Sequence, residues 1–169
     1  MNDTSKMIGI FSTLMVSNNY PVTSPVAPET MADLIRNPAP AEWDETKRDV
    51  YADIQRLVIN RPDYAEMFEL MDGLEYNGLT LYDLTQAENG ELLWSNIYIR
   101  NIDTRTDEIY IDPNLTDKVL IGQDGISVFV FSPKDDRFQI RDSVSTDYVI
   151  ESYATFSDLL SALIDTIKL

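Results

Sequence analysis

The second half of the chain carries four short runs rich in β-branched and aromatic residues, and their spacing limits the fold more than any other feature. Short turn-like segments, QDG, PKDD and SVST, separate these runs. Separators of this length and composition connect neighbouring antiparallel strands, so the pattern predicts hairpins. The runs are KVLIG, ISVFVFS, RFQIRD and DYVIESY, at positions 118–122, 126–132, 137–142 and 147–153.

Segments with helical spacing of apolar residues flank this predicted meander. Pro62 suits the first position of one helix, and Thr155 or Ser157 can cap the last one. The combination predicts an α+β fold, with an antiparallel or mixed sheet of about five or six strands flanked by helices. The helical segments are Met7–Val16, Glu42–Ile59, Pro62–Met71 and Phe156–Ile167.

The first 61 residues hold one helix, a proline-rich stretch and a second helix. Tyr20–Pro40 contains five of the eight prolines, which predicts an extended covering loop with at most one helical turn near Thr30–Arg36. With 169 residues the chain is expected to form one domain over 1–169, in which an N-terminal segment, 1–61, precedes the longer segment 62–169.

Met7–Val16 is apolar enough to raise the question of a signal peptide. Only Lys6 precedes it, opposed by Asp3, so an amphipathic helix is the favoured interpretation. No apolar run approaches the roughly 18 residues that span a bilayer. We therefore expect a cytoplasmic protein.

The stretch MDGLEYNGLTLYDL, residues 71–84, holds two of the six glycines. Gly73 is predicted to be the left-handed residue that ends a helix, and Asn77-Gly78 is a turn signal before a strand through Leu79 and Leu81. The glycines thus separate a helix from a strand. The acids beside them are harder to explain, because negative charge near a helix C-terminus costs about 0.3–1 kcal/mol per exposed group.

Acidic residues dominate the chain and concentrate near this corner. The formal net charge is −16, and residues 61–91 hold eight acids against Arg61 alone. The negative electrostatic field of such a chain predicts no nucleic-acid partner and no anionic membrane partner, and it favours a basic protein as partner. The alternative is that the acids only form a solvated face or keep the protein soluble. The candidate partner-binding residues are Glu66, Glu69, Asp72, Glu75, Tyr76, Asp83, Glu88 and Trp94.

The chain has neither cysteine nor histidine, which removes disulfides, thiolate or imidazole metal sites and the usual nucleophile–base pairs. An enzyme would have to use carboxylates, and the available pairs are Asp135 with Asp136 and Asp103 with Asp107. Neither pair lies in a recognisable motif. We therefore predict no catalytic residues, no metal and no cofactor.

Residues 92–117 are ambiguous. NIYIRNI, residues 96–102, fits either a strand or a portion of a helix. Trp94 and Tyr98 fit either a groove wall or the core, and the usual burial of large aromatic side chains favours the core.

Three segments in order carry a resemblance to a known family: DYAEMFELMDG (63–73), NGLTLY (77–82), and a GQDG hairpin followed by a helix that begins FSDLL. Together they resemble the SUKH superfamily and, within it, the YrhA-like branch. The resemblance spans Pro62–Leu169, whereas 1–61 matches only in helical character. It implies an α+β fold in which Gly73, Asn77, Gly78 and Tyr82 are fold markers.

The resemblance also implies a function in binding, with no known catalytic reaction. Relatives of this type are bacterial immunity proteins, which bind and neutralise a cognate toxin, or fungal regulators of cell-wall glucan synthesis. We expect an immunity or antitoxin-type protein that masks a basic toxin, such as a nuclease, with Glu69, Asp72, Glu75 and Asp83 steering the encounter. Tyr76 or Trp94 would anchor the complex. A non-catalytic regulatory or scaffold protein is the alternative.

Overall fold

A computed structural model describes residues 3–107 and 109–167 of the chain. The described residues form six helices and eight strands. The helices are α1 (Thr4–Ser17), α2 (Pro28–Arg36), α3 (Glu45–Asn60), α4 (Pro62–Leu70), α5 (Ile97–Thr106) and α6 (Phe156–Ile167). The strands are β1 (Leu74–Tyr76), β2 (Leu79–Leu81), β3 (Ala87–Glu88), β4 (Glu91–Leu92), β5 (Val119–Gln123), β6 (Ser127–Ser132), β7 (Arg137–Asp142) and β8 (Val149–Tyr153).

Six of the strands form one sheet in the order β1-β2-β5-β6-β7-β8, and every neighbouring pair is antiparallel. Strands β3 and β4 form a separate small hairpin. The predicted α+β fold with an antiparallel sheet is therefore confirmed. The four β-rich runs became β5 to β8, because short polar turns leave only neighbouring positions for successive strands.

The helices cover the sheet through one cluster of buried apolar side chains. Helix α1 packs against α4 and α6, and α3 packs against α4 and α5. Tyr64 of α4 lies at the aromatic centre of the cluster, with ring centroids 5.4 Å from Phe68, 6.2 Å from Phe138 and 5.0 Å from Phe156. These contacts join α4, β7 and α6, so residues far apart in the chain share one core.

The proline-rich stretch is more helical than the sequence indicated. The predicted single turn near Thr30–Arg36 is wrong: α2 is a helix of nine residues. Pro28 occupies the first turn, where its missing N–H is not needed, and Met31 and Leu34 are buried. Proline here starts a helix rather than preventing one.

The ambiguous segment after Trp94 is a helix. Asn96 caps α5, because its side-chain oxygen accepts hydrogen bonds from the backbone N–H groups of Tyr98 (3.0 Å) and Ile99 (3.3 Å). Thr155 likewise caps α6 by accepting from the N–H of Asp158 at 3.1 Å. Local capping chemistry therefore decides both helix starts.

Gly73 lies in the left-handed region, at φ 72°, but beyond Met71, the residue that caps the C-terminus of α4. It therefore opens strand β1, which the sequence analysis did not predict, instead of directly ending the helix. Asn77 and Gly78 have φ of 51° and 84° and form the tight turn between β1 and β2. Positive φ at both turn positions matches the twist of a hairpin.

Residues 3–107 and 109–167 include no helix that is both long enough and apolar enough to cross a bilayer.

Candidate binding groove

A groove of about 740 Å³ opens at the β1 edge of the sheet. One wall is the extended segment Tyr20–Ser24, the floor is the β1–β2 hairpin with its flanking residues, and the other wall is the segment 83–95. The groove is lined by Tyr20, Pro21, Val22, Thr23, Ser24, Asp72, Gly73, Leu74, Glu75, Thr80, Leu81, Asp83, Gln86, Glu88, Leu93, Trp94 and Ser95.

Asp72 lies at the groove floor and is almost completely buried, with 1% of its surface exposed. Its carboxylate accepts from the backbone N–H of Leu84 at 2.7 Å and from the N–H and hydroxyl of Thr85 at 3.2 and 2.5 Å. Its own N–H donates to the carbonyl of Ser24 at 3.0 Å. Asp72 therefore holds the two groove walls together, and its predicted role as an exposed steering charge is wrong.

Asp83 is the second buried acid at the floor, with 3% of its surface exposed. Its carboxylate accepts from the N–H of Gln86 at 3.1 Å and from the hydroxyl of Ser95 at 2.6 Å. Burial raises the pKa of Asp83, the hydrogen bond from Ser95 opposes that shift, and the charge of Asp72 adds to it. The predicted steering role of Asp83 is also wrong, because this carboxylate faces protein groups.

Tyr76 is not an exposed anchor either, because it is 8% exposed. Its ring lies edge-on to Tyr20, with centroids 4.8 Å apart, and its hydroxyl accepts from the side-chain amide of Asn18 at 2.9 Å. Tyr76 thus fixes the end of α1 and the following segment against strand β1.

The remaining predicted residues are accessible. Glu75 and Glu88 are exposed and line the groove, and Glu69 is exposed on α4 outside it. Glu66 is half-buried on the same helix. The structure therefore brings only some of the predicted acids to one surface, and we name Glu75, Glu88 and Trp94 the groove rim.

Trp94 is 49% exposed, so its predicted place in the core is wrong. It follows the β3–β4 hairpin, and its ring faces the guanidinium of Arg100, with the central carbon 6.0 Å from the ring centroid. Tyr98, by contrast, packs against the core from α5. A large aromatic side chain beside exposed carboxylates is suited to hold a cationic group.

In the carboxylate pairs considered for catalysis, each aspartate contacts its own partner outside the pair. Asp103 pairs with Arg100 at 2.6 Å, and Asp107 accepts from the N–H groups of Ile109 and Tyr110. Asp136 pairs with Arg61 at 3.1 Å, and Asp135 accepts from a serine hydroxyl. Across the portion of the chain that the structure describes, no group of three or more acidic side chains is arranged to hold a metal ion.

Sequence reasoning missed the partners of the buried acids. Asp83 and Gln86 have the spacing of an aspartate that accepts from the backbone three residues later, which is a readable local signal. Thr85 and Ser95 are ordinary polar residues whose role depends on tertiary contacts. Nothing in the sequence indicated that residues 20–24 would form one wall of the groove.

Comparison with known proteins gives one informative similarity. The chain is 27% identical to the uncharacterized protein YrhA of Escherichia coli (strain K12) over 123 residues, which cover 73% of this chain and 87% of that protein. No family model matches the chain. No solved structure matches it.

Proposed function

We propose that this chain is an immunity or antitoxin-type protein of the SUKH superfamily that binds and neutralises a basic toxin domain. The groove rim would be the surface that meets the toxin. The observation that carries the proposal is the meeting of Glu75, Glu88 and Trp94 around one open groove. One support comes from outside the site: the order of segments that resembles that superfamily. The similar protein YrhA is itself uncharacterized, so it supplies no function to transfer.

The rim can combine steering with anchoring. Exposed carboxylates attract a basic surface over distances of about 8–10 Å at physiological salt, and in a protein of net charge −16 they act within a broader negative field. Trp94 offers a large side chain that a partner can cover, and tryptophan is among the residues that contribute most to protein interfaces. The proposed mechanism is therefore occlusion: the protein covers the toxin's cationic site, and no covalent bond is made or broken.

The buried acids make this surface rigid. Asp72 ties the segment 20–24 to the segment 84–85, and Asp83 ties the start of that second wall to its end at Ser95. A rim on fixed walls loses little conformational freedom on binding, and such preorganisation raises affinity. In this proposal Asp72 and Asp83 support the binding surface without touching the partner.

The experiment is co-expression of the chain with the product of its neighbouring gene, followed by purification and a growth assay. The proposal predicts a stable one-to-one complex and protection from toxicity. Trp94→Ala should weaken the complex by about 2 kcal/mol, or roughly 30-fold, while leaving the folded protein intact. Trp43→Ala, at a tryptophan outside the groove, is the matched control and should leave binding unchanged.

Recovery of several loosely bound proteins, with no protection in the growth assay, would contradict the proposal. That result would favour the alternative in which the chain is a non-catalytic regulator or scaffold related to the cell-wall-assembly regulators. A divalent metal that raised the melting temperature at micromolar concentration would instead argue for an enzyme.

A further inference from the structure

A second surface stands out because it is apolar. Ile109 is 95% exposed, Val144 90% and Ile126 73%, and tyrosines 110 and 148 are each more than 60% exposed. Single exposed apolar residues are common, but a contiguous group with a polar border marks an interaction site. We call these five residues, Ile109, Tyr110, Ile126, Val144 and Tyr148, the turn patch.

The aliphatic members of the turn patch are held by the same local device. Each follows an aspartate by two residues, and that aspartate accepts a hydrogen bond from its backbone N–H: Asp107 from Ile109 at 2.7 Å, Asp124 from Ile126 and Asp142 from Val144, both at 2.9 Å. Each aspartate also accepts from the next N–H along the chain. Each turn therefore fixes the backbone of a residue whose apolar side chain is exposed.

Hydrogen bonds join the two hairpin turns at one end of the sheet and hold the loop after α5 beside them. The N–H of Ser143 donates to the carbonyl of Ile126 at 3.0 Å, which joins the β5–β6 turn to the β7–β8 turn. The hydroxyl of Thr146 donates to Asp112 at 2.5 Å, and the amide of Asn114 donates to that hydroxyl at 3.3 Å. These bonds place the loop after α5 against the β7–β8 turn, at the same end of the sheet as the β5–β6 turn.

The border of the patch is acidic. The segments 109–116, 123–128 and 142–150 contain Asp112, Asp124, Asp142 and Asp147 and no lysine or arginine. Arg141, next to the β7–β8 turn, is buried and donates to the carbonyl of Thr146 at 2.7 Å. A second copy of the chain would bring these acidic borders together between molecules of net charge −16, which opposes self-association.

We propose that the turn patch is the apolar centre of a protein-binding surface whose occupant is a basic polypeptide with apolar residues flanked by lysine or arginine. The partner's apolar side chains cover Ile109, Ile126 and Val144, and its cations face the acidic border. The partner's apolar residues match the apolar centre of the turn patch, and its cations match the acidic border. An apolar centre with a polar rim is the usual arrangement of a protein interface. The inference concerns a surface separate from the groove rim and stands without the proposed function.

A defined probe tests this proposal without the natural partner. The probe is a synthetic peptide in which lysine and leucine alternate, and the control peptide has serine in place of leucine. Titration of the full-length, isotope-labelled protein should shift the amide signals of residues 109, 126 and 144, and the control peptide should bind at least tenfold more weakly. The triple variant Ile109→Ser, Ile126→Ser, Val144→Ser should weaken the lysine–leucine peptide by at least tenfold.

The matched control is the triple variant Val16→Ser, Ile35→Ser, Ile59→Ser, which changes three exposed apolar residues on α1, α2 and α3 and should bind the peptide normally. Equal binding by both triple variants, shifts confined to residues 75, 88 and 94, or no saturable binding would each overturn the proposal. Sedimentation of the free protein provides the remaining outcome, because a dimer lost in the Ile109, Ile126, Val144 variant would assign the patch to a second copy instead.

Discussion

The groove and the turn patch use aspartate in opposite ways. At the groove floor, Asp72 and Asp83 are buried, and their carboxylates are enclosed by donors from the surrounding walls. At the turn patch, Asp107 and Asp142 accept neighbouring N–H groups in solvent and leave apolar side chains outside. Acidic residues in this chain therefore have three roles. Asp72 and Asp83 stabilise the groove, Asp107 and Asp142 stabilise exposed turns, and Glu75 and Glu88 provide accessible negative charge.

The difference shows why a count of acidic residues does not identify a binding surface. Residues 61–91 hold eight acids, yet two of them are enclosed by the fold and Glu66 is half-buried. A partner is attracted mainly by carboxylates that are exposed to solvent. If the two surfaces differ in the way we describe, substitutions at the groove floor should affect stability, and substitutions at the exposed positions should affect binding alone.

The largest effect is expected for Asp72→Ala. The change removes the charged acceptor of two backbone N–H groups and a hydroxyl. Hydrogen bonds to charged groups contribute about 1.5–3 kcal/mol, and the buried N–H of Leu84 would be left unpaired, which costs about 1–3 kcal/mol. We predict a loss of about 3–5 kcal/mol in the free energy of unfolding, measured with urea. Glu75→Ala is the matched control at an exposed acid and should change stability by less than about 0.5 kcal/mol. A loss of stability in Asp72→Ala as small as that in Glu75→Ala would show that Asp72 does not stabilise the fold.

A smaller loss is expected for Gly73→Ala. An added methyl group would lie 2.8 Å from the carbonyl oxygen of Leu81 and 2.9 Å from the side chain of Asp83, in a residue at φ 72°. We predict destabilisation of about 2–4 kcal/mol from the combined clash and backbone strain. Gly78→Ala is the control, because it has φ 84° but no atom within 4 Å of the added methyl group, and should cost only about 1 kcal/mol. The difference between the two variants isolates the close approach at the groove floor.

The pH dependence of stability should have opposite signs in the two regions. Burial raises the pKa of Asp83, so the folded state binds its proton more tightly and the stability from this group falls as pH rises through the folded pKa. Hydrogen bonds from the N–H groups of Ser145 and Val144 lower the pKa of Asp142, so its contribution is present above the unfolded pKa and is lost as pH falls through the folded pKa.

Asp83→Asn and Asp142→Asn separate these contributions when unfolding is measured from below the ordinary carboxyl pKa of about 3.9 up to neutral pH. Relative to wild type, Asp83→Asn should become more stable as pH rises, and Asp142→Asn less stable. Parallel curves for the two variants would remove the distinction between an enclosed and an exposed aspartate.

The smallest effect on stability is expected at the turn patch itself. Ile126→Ser and Val144→Ser change side chains that are mostly in water, so each should alter the free energy of unfolding by less than about 0.5 kcal/mol. Val130→Ser, at a fully buried position of β6, is the control and should cost several kcal/mol. A large loss at Ile126 or Val144 would mean that these residues belong to the core and offer no surface to a partner.

Much of the fold follows from local pattern, and little of the groove does. Alternating β-rich runs and short turns indicate β5 to β8, and helical spacing with a cap indicates α6, because these elements depend on neighbouring residues. The floor of the groove depends on Asp72 meeting Thr85 and Asp83 meeting Ser95, contacts that close only when α4, β2 and the start of α5 are assembled. Trp94 was expected in the core because large aromatic side chains are usually buried. Its actual exposure follows from its place after the β3–β4 hairpin, whose two-residue strands are too short to predict.

Electrostatic steering by the groove rim is tested most directly by the association rate constant between this protein and the basic toxin that we propose as its partner, measured as ionic strength is raised. The rate should fall steeply with added salt, and the variant Glu75→Gln, Glu88→Gln should associate more slowly at low salt and with less dependence on salt. A rate that does not change with salt, and is the same for wild type and variant, would contradict the claim that the accessible acids of the groove rim steer a basic partner into the groove.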